Sequence, residues 1–211
     1  MKGNLIILTS PSGGGKGTLI LQLMNMNIGI GYSVSYTTRK MRNGEINGRD
    51  YFFVSDEDFK TRIANNEFLE YAEVHGNYYG TSKAVVDSHI AKGKDVILEI
   101  DVQGAKIVLG KMPQAVSIFI MPPSFEALSY RLTNRATETR EQLSLRLRNS
   151  FDEVLEYEDF EYVVINDEIA AATRRLETII LAERQKRVRQ TDAIQDILNS
   201  FDASKQRLAG E

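Results

Sequence analysis

Short apolar runs and helical stripes alternate along most of the chain. Leu5 to Leu8 is a continuous apolar run suited to a strand covered on both faces. Leu19, Leu23 and Met26 then recur at helical spacing. The alternation returns after residue 82. It predicts helix 82–92 with Gly93 as a stop, strand 95–101, helix 103–110, and strand 115–121 ended by Pro122-Pro123. Helix 124–134, a polar stretch at 135–141, a helix to about 158, strand 162–165 and helix 169–190 complete the series. Buried strands separated by amphipathic helices predict an α/β fold with a parallel sheet flanked by helices.

Residues 32–81 break that rhythm. Tyr32 to Thr38 reads as a strand, Asn43-Gly44 and Asn47-Gly48 as turns, and Tyr51 to Val54 as a second β-rich run. Ser55 is placed to cap a helix, with Asp58 three residues on. Glu67 to His75 reads as a strand and Gly76 to Gly80 as a turn. The division is therefore a core of 1–31, 82–134 and 142–190, an inserted lobe of 32–81, a polar stretch at 135–141 and a tail of 191–211. In the tail, Ile194, Ile197, Leu198 and Phe201 fall at i, i+3, i+4, i+7. Packing on the chain's own domain is the favoured account of that stripe, and self-association the alternative.

Between the first strand and helix stands Ser10-Pro11-Ser12-Gly13-Gly14-Gly15-Lys16-Gly17-Thr18. Strand, glycine-rich turn, lysine and helix make the context of a phosphate-binding P-loop. Glycines let main-chain amides turn inward around a phosphate, and the helix N-terminus adds partial positive charge. Lys16 reaches the outer phosphates as a mobile point charge. A plain glycine-rich connection is the bland alternative. Two positions depart from GxxxxGK[ST]: Ser10 replaces the first glycine, and Gly17 replaces the hydroxyl residue that usually binds Mg²⁺. Thr18, one place later, is turned by about 100°, so a phosphate contact and a metal contact both stay open for it.

Composition narrows the class. Lys and Arg total 26 against 29 Asp and Glu, a net charge of −3, so no basic field points to nucleic acid or an anionic membrane. Cysteine is absent, which removes disulfides and thiolate metal sites and fits a reducing compartment. The apolar runs are too short for a signal core or a membrane span, and the expected location is cytoplasmic. His75 and His89 show no ligand spacing and read as structural or surface residues.

These features together resemble the guanylate kinases from about residue 4 to 190. The likeness rests on the P-loop, Ser33 to Arg39, Gly44-Glu45 with Gly48, Gly76 to Thr81, Ile100 to Gly104, Pro122-Pro123-Ser124 and Val164 to Asp167, in the family's order. It implies a P-loop nucleoside monophosphate kinase that uses ATP and Mg²⁺ to convert GMP, with dGMP left open, to GDP. Residues 32–81 would be the GMP-binding lobe and 135–141 the lid. GMP and ATP would be the partners of a monomer or homo-oligomer. A scaffold module that keeps the fold without catalysis, and a kinase for another monophosphate, are the rivals.

The resemblance also assigns residues. Ser10 to Thr18, Arg131 and Asn166 would hold ATP, with a strand-end cap the alternative for Asn166. Lys16, Arg39, Arg135 and Arg146 would stabilise the transferring phosphoryl group. Arg39, Arg42, Tyr51 and Tyr79 would grip the acceptor phosphate. Glu70 would read guanine, because a carboxylate accepts from N1–H and the 2-amino group together; Ser35, Thr81 and Asp101 would assist. Asn134, Ala136 and Arg140 depart from the family pattern at the lid, as does Glu99 where Asp is usual.

Overall fold

The apolar run at the N-terminus becomes the middle of a parallel sheet. A computed structural model describes residues 3–74, 76–134 and 140–209. In it β1 (Leu5–Thr9) is buried at every position. The strands β2 (Ile30–Tyr32), β7 (Asp95–Glu99), β8 (Val116–Met121) and β9 (Tyr162–Ile165) join it in the order β2-β7-β1-β8-β9, all parallel. Side chains alternate across the sheet, as strand geometry requires. Leu5 and Ile7 face one core with Val96, Leu98, Val102, Ala105, Val108 and Phe119. Ile6 and Leu8 face another with Leu19, Leu23, Ile97, Ile118, Val164, Leu176 and Ile180. The second core is closed by α1 (Lys16–Asn25) and α7 (Ile169–Gln185), the first by α3 (Lys83–Ala91) and α4 (Val102–Lys111). Parallel order places all strand C-termini on one side, where ligands of open α/β sheets collect.

A smaller mixed sheet lies between β2 and α3. It holds β4 (Phe52–Phe53), β3 (Tyr36–Thr37), β6 (Asn77–Ser82) and β5 (Phe68–Val74), in that order. The helix α2 (Asp56–Ala64) packs on it and is capped as expected, the Ser55 hydroxyl accepting from Asp58 N at 3.0 Å. Phe59 of α2 is fully buried, its ring stacked on Phe68 at 4.6 Å and on Tyr78 at 5.4 Å. Gly80 is obligatory there, since a Cβ would lie 2.9 Å from the Phe59 ring and 3.0 Å from the Phe68 ring.

Several expectations are corrected. The single strand over 32–38 is two strands in two sheets: Tyr32 ends β2 beside β7, and Tyr36 starts β3 opposite Gly80. The stretch read as a turn over 76–80 is mostly strand; the reversal is at Gly76 (φ 74°), and Asn77 to Ser82 pairs with β5. Met26 stands beyond the end of α1 and is exposed. The helix expected to run to 190 breaks after Gln185 into a 3-10 turn at Arg187–Arg189. Then α8 (Thr191–Ala209) begins, and its apolar stripe is exposed, not packed on the domain. His89 packs against Gly31, where a Cβ would lie 2.5 Å from its Nδ1; His75 lies outside the described residues. Among the described residues no helix is long and apolar enough to cross a membrane.

Phe59→Ala removes the centre of the aromatic stack and leaves a void that the surrounding rings cannot fill. Chemical denaturation is expected to show a loss of about 3–5 kcal/mol. A loss below 1 kcal/mol would mean that the ring is not a support of the small sheet.

Candidate active site

The turn after β1 is shaped by two glycines with left-handed backbone, Gly13 (φ 85°) and Gly15 (φ 92°). A turn that aims its amides inward must satisfy its carbonyls on the far side. Gly14 O accepts from Asn166 Nδ2 at 2.8 Å and from Arg131 Nη1 at 3.4 Å. Pro11 O accepts from Gly14 N at 2.9 Å and from Ser10 Oγ at 2.8 Å. Lys16 opens α1, and its ammonium donates to Ser10 Oγ at 3.0 Å and more weakly to Ser10 O at 3.5 Å. Asn166 is 2% exposed and tied to the back of the turn, so its placement matches the strand-end alternative more closely than an open contact surface. Arg131 binds the same place, donating to Asn166 O at 2.9 Å. Gly17 and Thr18 are exposed on the first turn of α1.

Beside the turn lies a cavity of about 230 Å³. It gathers Lys16, Ser35, Arg39, Arg42, Tyr51, Glu70, Tyr79, Asp101 and Arg146 from among the sequence-predicted residues, together with Glu99. At one end Arg39 forks onto Glu45, donating through Nη1 at 3.0 Å and Nη2 at 2.7 Å, with its guanidinium carbon 5.3 Å from the Tyr51 ring centre. Glu45 also accepts from Arg42 N at 2.7 Å, and the Arg39 guanidinium holds its carboxyl below the usual range. Tyr51 and Tyr79 meet edge to face at 5.9 Å. Burial, with the charge of Glu99, pushes the Tyr51 hydroxyl up to about 12, so it acts as a donor at neutral pH.

The other end is acidic and dry. Glu70 is 4% exposed, and its Oε1 accepts from Thr81 Oγ1 at 2.6 Å. Burial raises its carboxyl to about 7; the Thr81 hydroxyl opposes the rise and nearby Asp101 adds to it. Thr81 is fully buried, so its hydroxyl supports the carboxylate. Asp101 caps α4, its Oδ1 accepting from Gly104 N at 2.8 Å. A Cβ on Gly104 would stand 2.9 Å from Glu70 Oε2, so that glycine makes the room the carboxylate occupies.

Sequence reasoning missed one side chain with a clear place here, Glu153, and gave no role to two that it named, Glu45 and Glu99. Glu45, named in the sequence only as part of Gly44-Glu45, clamps Arg39 across the Gly44 turn. Glu153, on α6 (Arg140–Leu155), accepts from the Ser12 amide at 2.8 Å; no local pattern could reveal a contact across 141 positions. Glu99 accepts from Tyr32 OH at 3.2 Å, and its Oε1 would lie 3.7 Å from a Cβ on Gly17. A second cavity of about 320 Å³ adjoins the turn, lined by Ser10, Ser12, Lys16, Asn149, Asp152 and Glu153 among others. Arg135 and Ala136 lie outside the described residues.

Known proteins resemble this chain over most of its length. The family model described as guanylate kinase matches residues 2–183. The guanylate kinase of Neisseria meningitidis serogroup A is 49% identical over 199 residues, covering 94% of this chain and 97% of that protein. The guanylate kinase of Symbiobacterium thermophilum is 46% identical over 197 residues, covering 93% of each. The crystal structure of guanylate kinase from Anaplasma phagocytophilum superposes with a TM-score of 0.75 at 36% identity, covering 89% of both chains. With a family match over nearly the whole sequence and relatives near half identity, the chain belongs to the guanylate kinase family.

Proposed function

We propose that this chain transfers the terminal phosphoryl group of ATP to GMP, giving ADP and GDP. The observation that carries the reading is one cavity with an arginine-rich end and a buried carboxylate at the other, adjoining a P-loop lysine. A nucleoside monophosphate has the matching polarity, a dianion joined to a base.

GMP lies with its phosphate between Arg39, Arg42, Tyr51 and Tyr79 and its guanine against Glu70 and Ser35. The ionised Glu70 accepts from N1–H and the 2-amino group. Adenine presents an unprotonated N1 there, so a dry carboxylate left unpaired rejects it. ATP lies with its outer phosphates on the amides of Gly13 to Thr18. The acceptor phosphate has a second pKa of about 6 and is mostly dianionic at pH 7. Its oxygen attacks the γ-phosphorus as the bond to the ADP oxygen breaks, and no general base is required. Lys16 and Arg146, with Arg131 behind the turn, stabilise the charge passing between the phosphates. Residues 135–141, with Arg135, serve as the lid, and residues 32–81 as the lobe that receives GMP.

Mg²⁺ neutralises phosphate charge when bound with ATP. Among the described residues no three His, Cys, Asp or Glu side chains converge to cage a metal. The ion would be carried mainly by phosphates and water, with Thr18, exposed on the first turn of α1, and Glu99, at the end of β7 beside Gly17, the side chains that could hold it.

An ADP-release assay with GMP, AMP, CMP and UMP in parallel tests the reading. Turnover with GMP far above the others is expected; no turnover by a folded sample would overturn it. Lys16→Ala should lower kcat by roughly 10²–10³-fold with little change in the KM for GMP. Wild-type turnover in that variant would remove Lys16 from the transfer step.

The Glu70 carboxyl gives a second test through pH. Its ordinary value is 4.5 and burial lifts it to about 7, so acidification below neutrality protonates the group that must accept from guanine. The KM for GMP should rise roughly tenfold from pH 8 to pH 6, beyond the smaller contribution of the substrate phosphate. Glu70→Gln should raise that KM roughly 10- to 100-fold at pH 8, leave the KM for ATP nearly unchanged, and flatten the pH dependence. An unchanged KM for GMP would take Glu70 out of base reading.

A further inference from the structure

Successive residues of a strand face opposite sides of a sheet, so residues two apart share a side. The strand β6 keeps that rule. Tyr78 stacks on Phe59 of α2, and a Cβ on Gly80 would meet the Phe59 and Phe68 rings on the same side. Tyr79 lines the cavity on the other side, and Thr81 donates there to Glu70. The neighbouring β5 breaks the rule. Phe68 stacks on Phe59 on the α2 side, yet Glu70, two residues on, lines the cavity.

A β-bulge makes the switch. Phe68 pairs with Ser82 and Glu70 with Thr81, so Leu69 is one residue too many for the ladder. Strict alternation would turn Glu70 toward the aromatic cluster under α2, because a change of one residue in register exchanges the two faces. The extra residue also brings a peptide group whose polar atoms must be satisfied. Leu69 is 7% exposed, with its side chain in the core beside Val102, Ala105 and Val108 of α4. Its carbonyl accepts from Lys111 Nζ at 2.6 Å, a contact across 42 positions.

Lys111 is the last residue of α4, two turns beyond Gly104 on the same face of the helix. One helix thus serves Glu70 at both ends: the bare Cα of Gly104 leaves room for Oε2, and the Lys111 ammonium holds the preceding carbonyl. Leu69 O and Glu70 N belong to one planar peptide unit, so a donor on that oxygen fixes the plane from which Glu70 departs. A hydrogen bond from an ammonium is stronger than one between neutral groups. We propose that Lys111 is a positioning residue for guanine recognition, holding through the Leu69 carbonyl the bulge that turns Glu70 into the cavity. The proposal rests on the reading of Glu70 given under the proposed function. Burial raises the Glu70 carboxyl and Asp101 adds to the rise, while the Thr81 hydroxyl and the charge of Lys111 oppose it. The same ammonium therefore also favours the form that accepts from guanine.

Lys111→Met keeps most of the stem and removes the donor and its charge. Steady-state kinetics should show the KM for GMP raised about 5- to 10-fold, with kcat and the KM for ATP within about twofold of the parent. Lys111→Arg, which still offers charged donors, should return the KM for GMP to within about threefold of the parent. Lys111 is exposed, so the core is untouched by either change; far-UV circular dichroism checks the fold, and Lys111→Gln is read by the same criteria if the methionine variant does not fold. Action through Glu70 makes the two sites non-additive: in a Glu70→Gln background, Lys111→Met should raise the KM for GMP by less than about twofold. A KM for GMP unchanged by Lys111→Met, an equal rise in the KM for ATP, or the full 5- to 10-fold effect in the Glu70→Gln background would each overturn the proposal. Glu70→Gln alone separates two kinds of failure. An unchanged KM for GMP there removes the base-reading assignment and this proposal together, whereas a raised one beside an inert Lys111→Met removes this proposal alone.

Discussion

A phosphate cradle made of main-chain amides works only while the carbonyls of the same turn are held elsewhere. Here that constraint reaches across the fold. Gly14 O is taken by Asn166 at the end of β9 and by Arg131 on α5 (Phe125–Thr133). Asn166 is itself placed by its amide, which donates to Met121 O at the end of β8 at 2.8 Å. Arg131 closes the loop by donating to Asn166 O. A Cβ on Gly15 would come within 2.5 Å of Asn166 Nδ2, so the left-handed glycine and the asparagine require each other. The order of the parallel strands is therefore what gives the turn its shape, with its carbonyls held on the side away from the amides.

The cavity beside it handles its two kinds of charge in opposite ways. At the arginine-rich end Arg39 is forked onto Glu45, which also takes the Arg42 amide. Such pairing fixes direction, since a planar guanidinium offered to a carboxylate on one edge presents another toward the cavity. At the acidic end Glu70 has a hydroxyl in place of a cation at hydrogen-bonding distance, and burial leaves its ionised form costly. A group in that condition gains most from a ligand that brings two adjacent donors. Under the proposed function, selectivity for a purine edge would follow from leaving the carboxylate under-satisfied, and the missing side chain of Gly104 is what permits it to sit there.

Much of this was legible in the sequence, and the failures have physical causes. The run Leu5 to Leu8 and the glycines behind it can be read because strand burial and anion binding are both local requirements. Ser55 as a helix cap is likewise local. The stretch Tyr32 to Thr38 failed because β-propensity says nothing about which sheet a residue joins: Ser33 N still donates to Ile97 O in the large sheet at 3.0 Å, while Tyr36 already pairs in the small one. Residues 76–80 looked like a turn because glycine and asparagine usually mark one, yet Gly80 is in a strand to let two phenyl rings approach. The stripe of α8 showed a face but could not show that the body leaves it uncovered. Glu45 and Glu153 act through contacts that only folding creates: the motif Gly44-Glu45 did not show which cation Glu45 holds, and Glu153 sits in no pattern at all.

The helix α6 joins the two halves of the site. Arg146 reaches the cavity and Glu153 reaches the Ser12 amide, about 10 Å further along the same rod. Phe151, between them, stacks on Phe125 of α5 at 4.8 Å, and α5 carries the Arg131 that braces the turn from behind. Ser150, in the middle of the helix, is 3% exposed and packs toward the body. Through this one helix the cavity and the turn after β1 share a support, although the residues that form them are spread from Ser12 to Asn166.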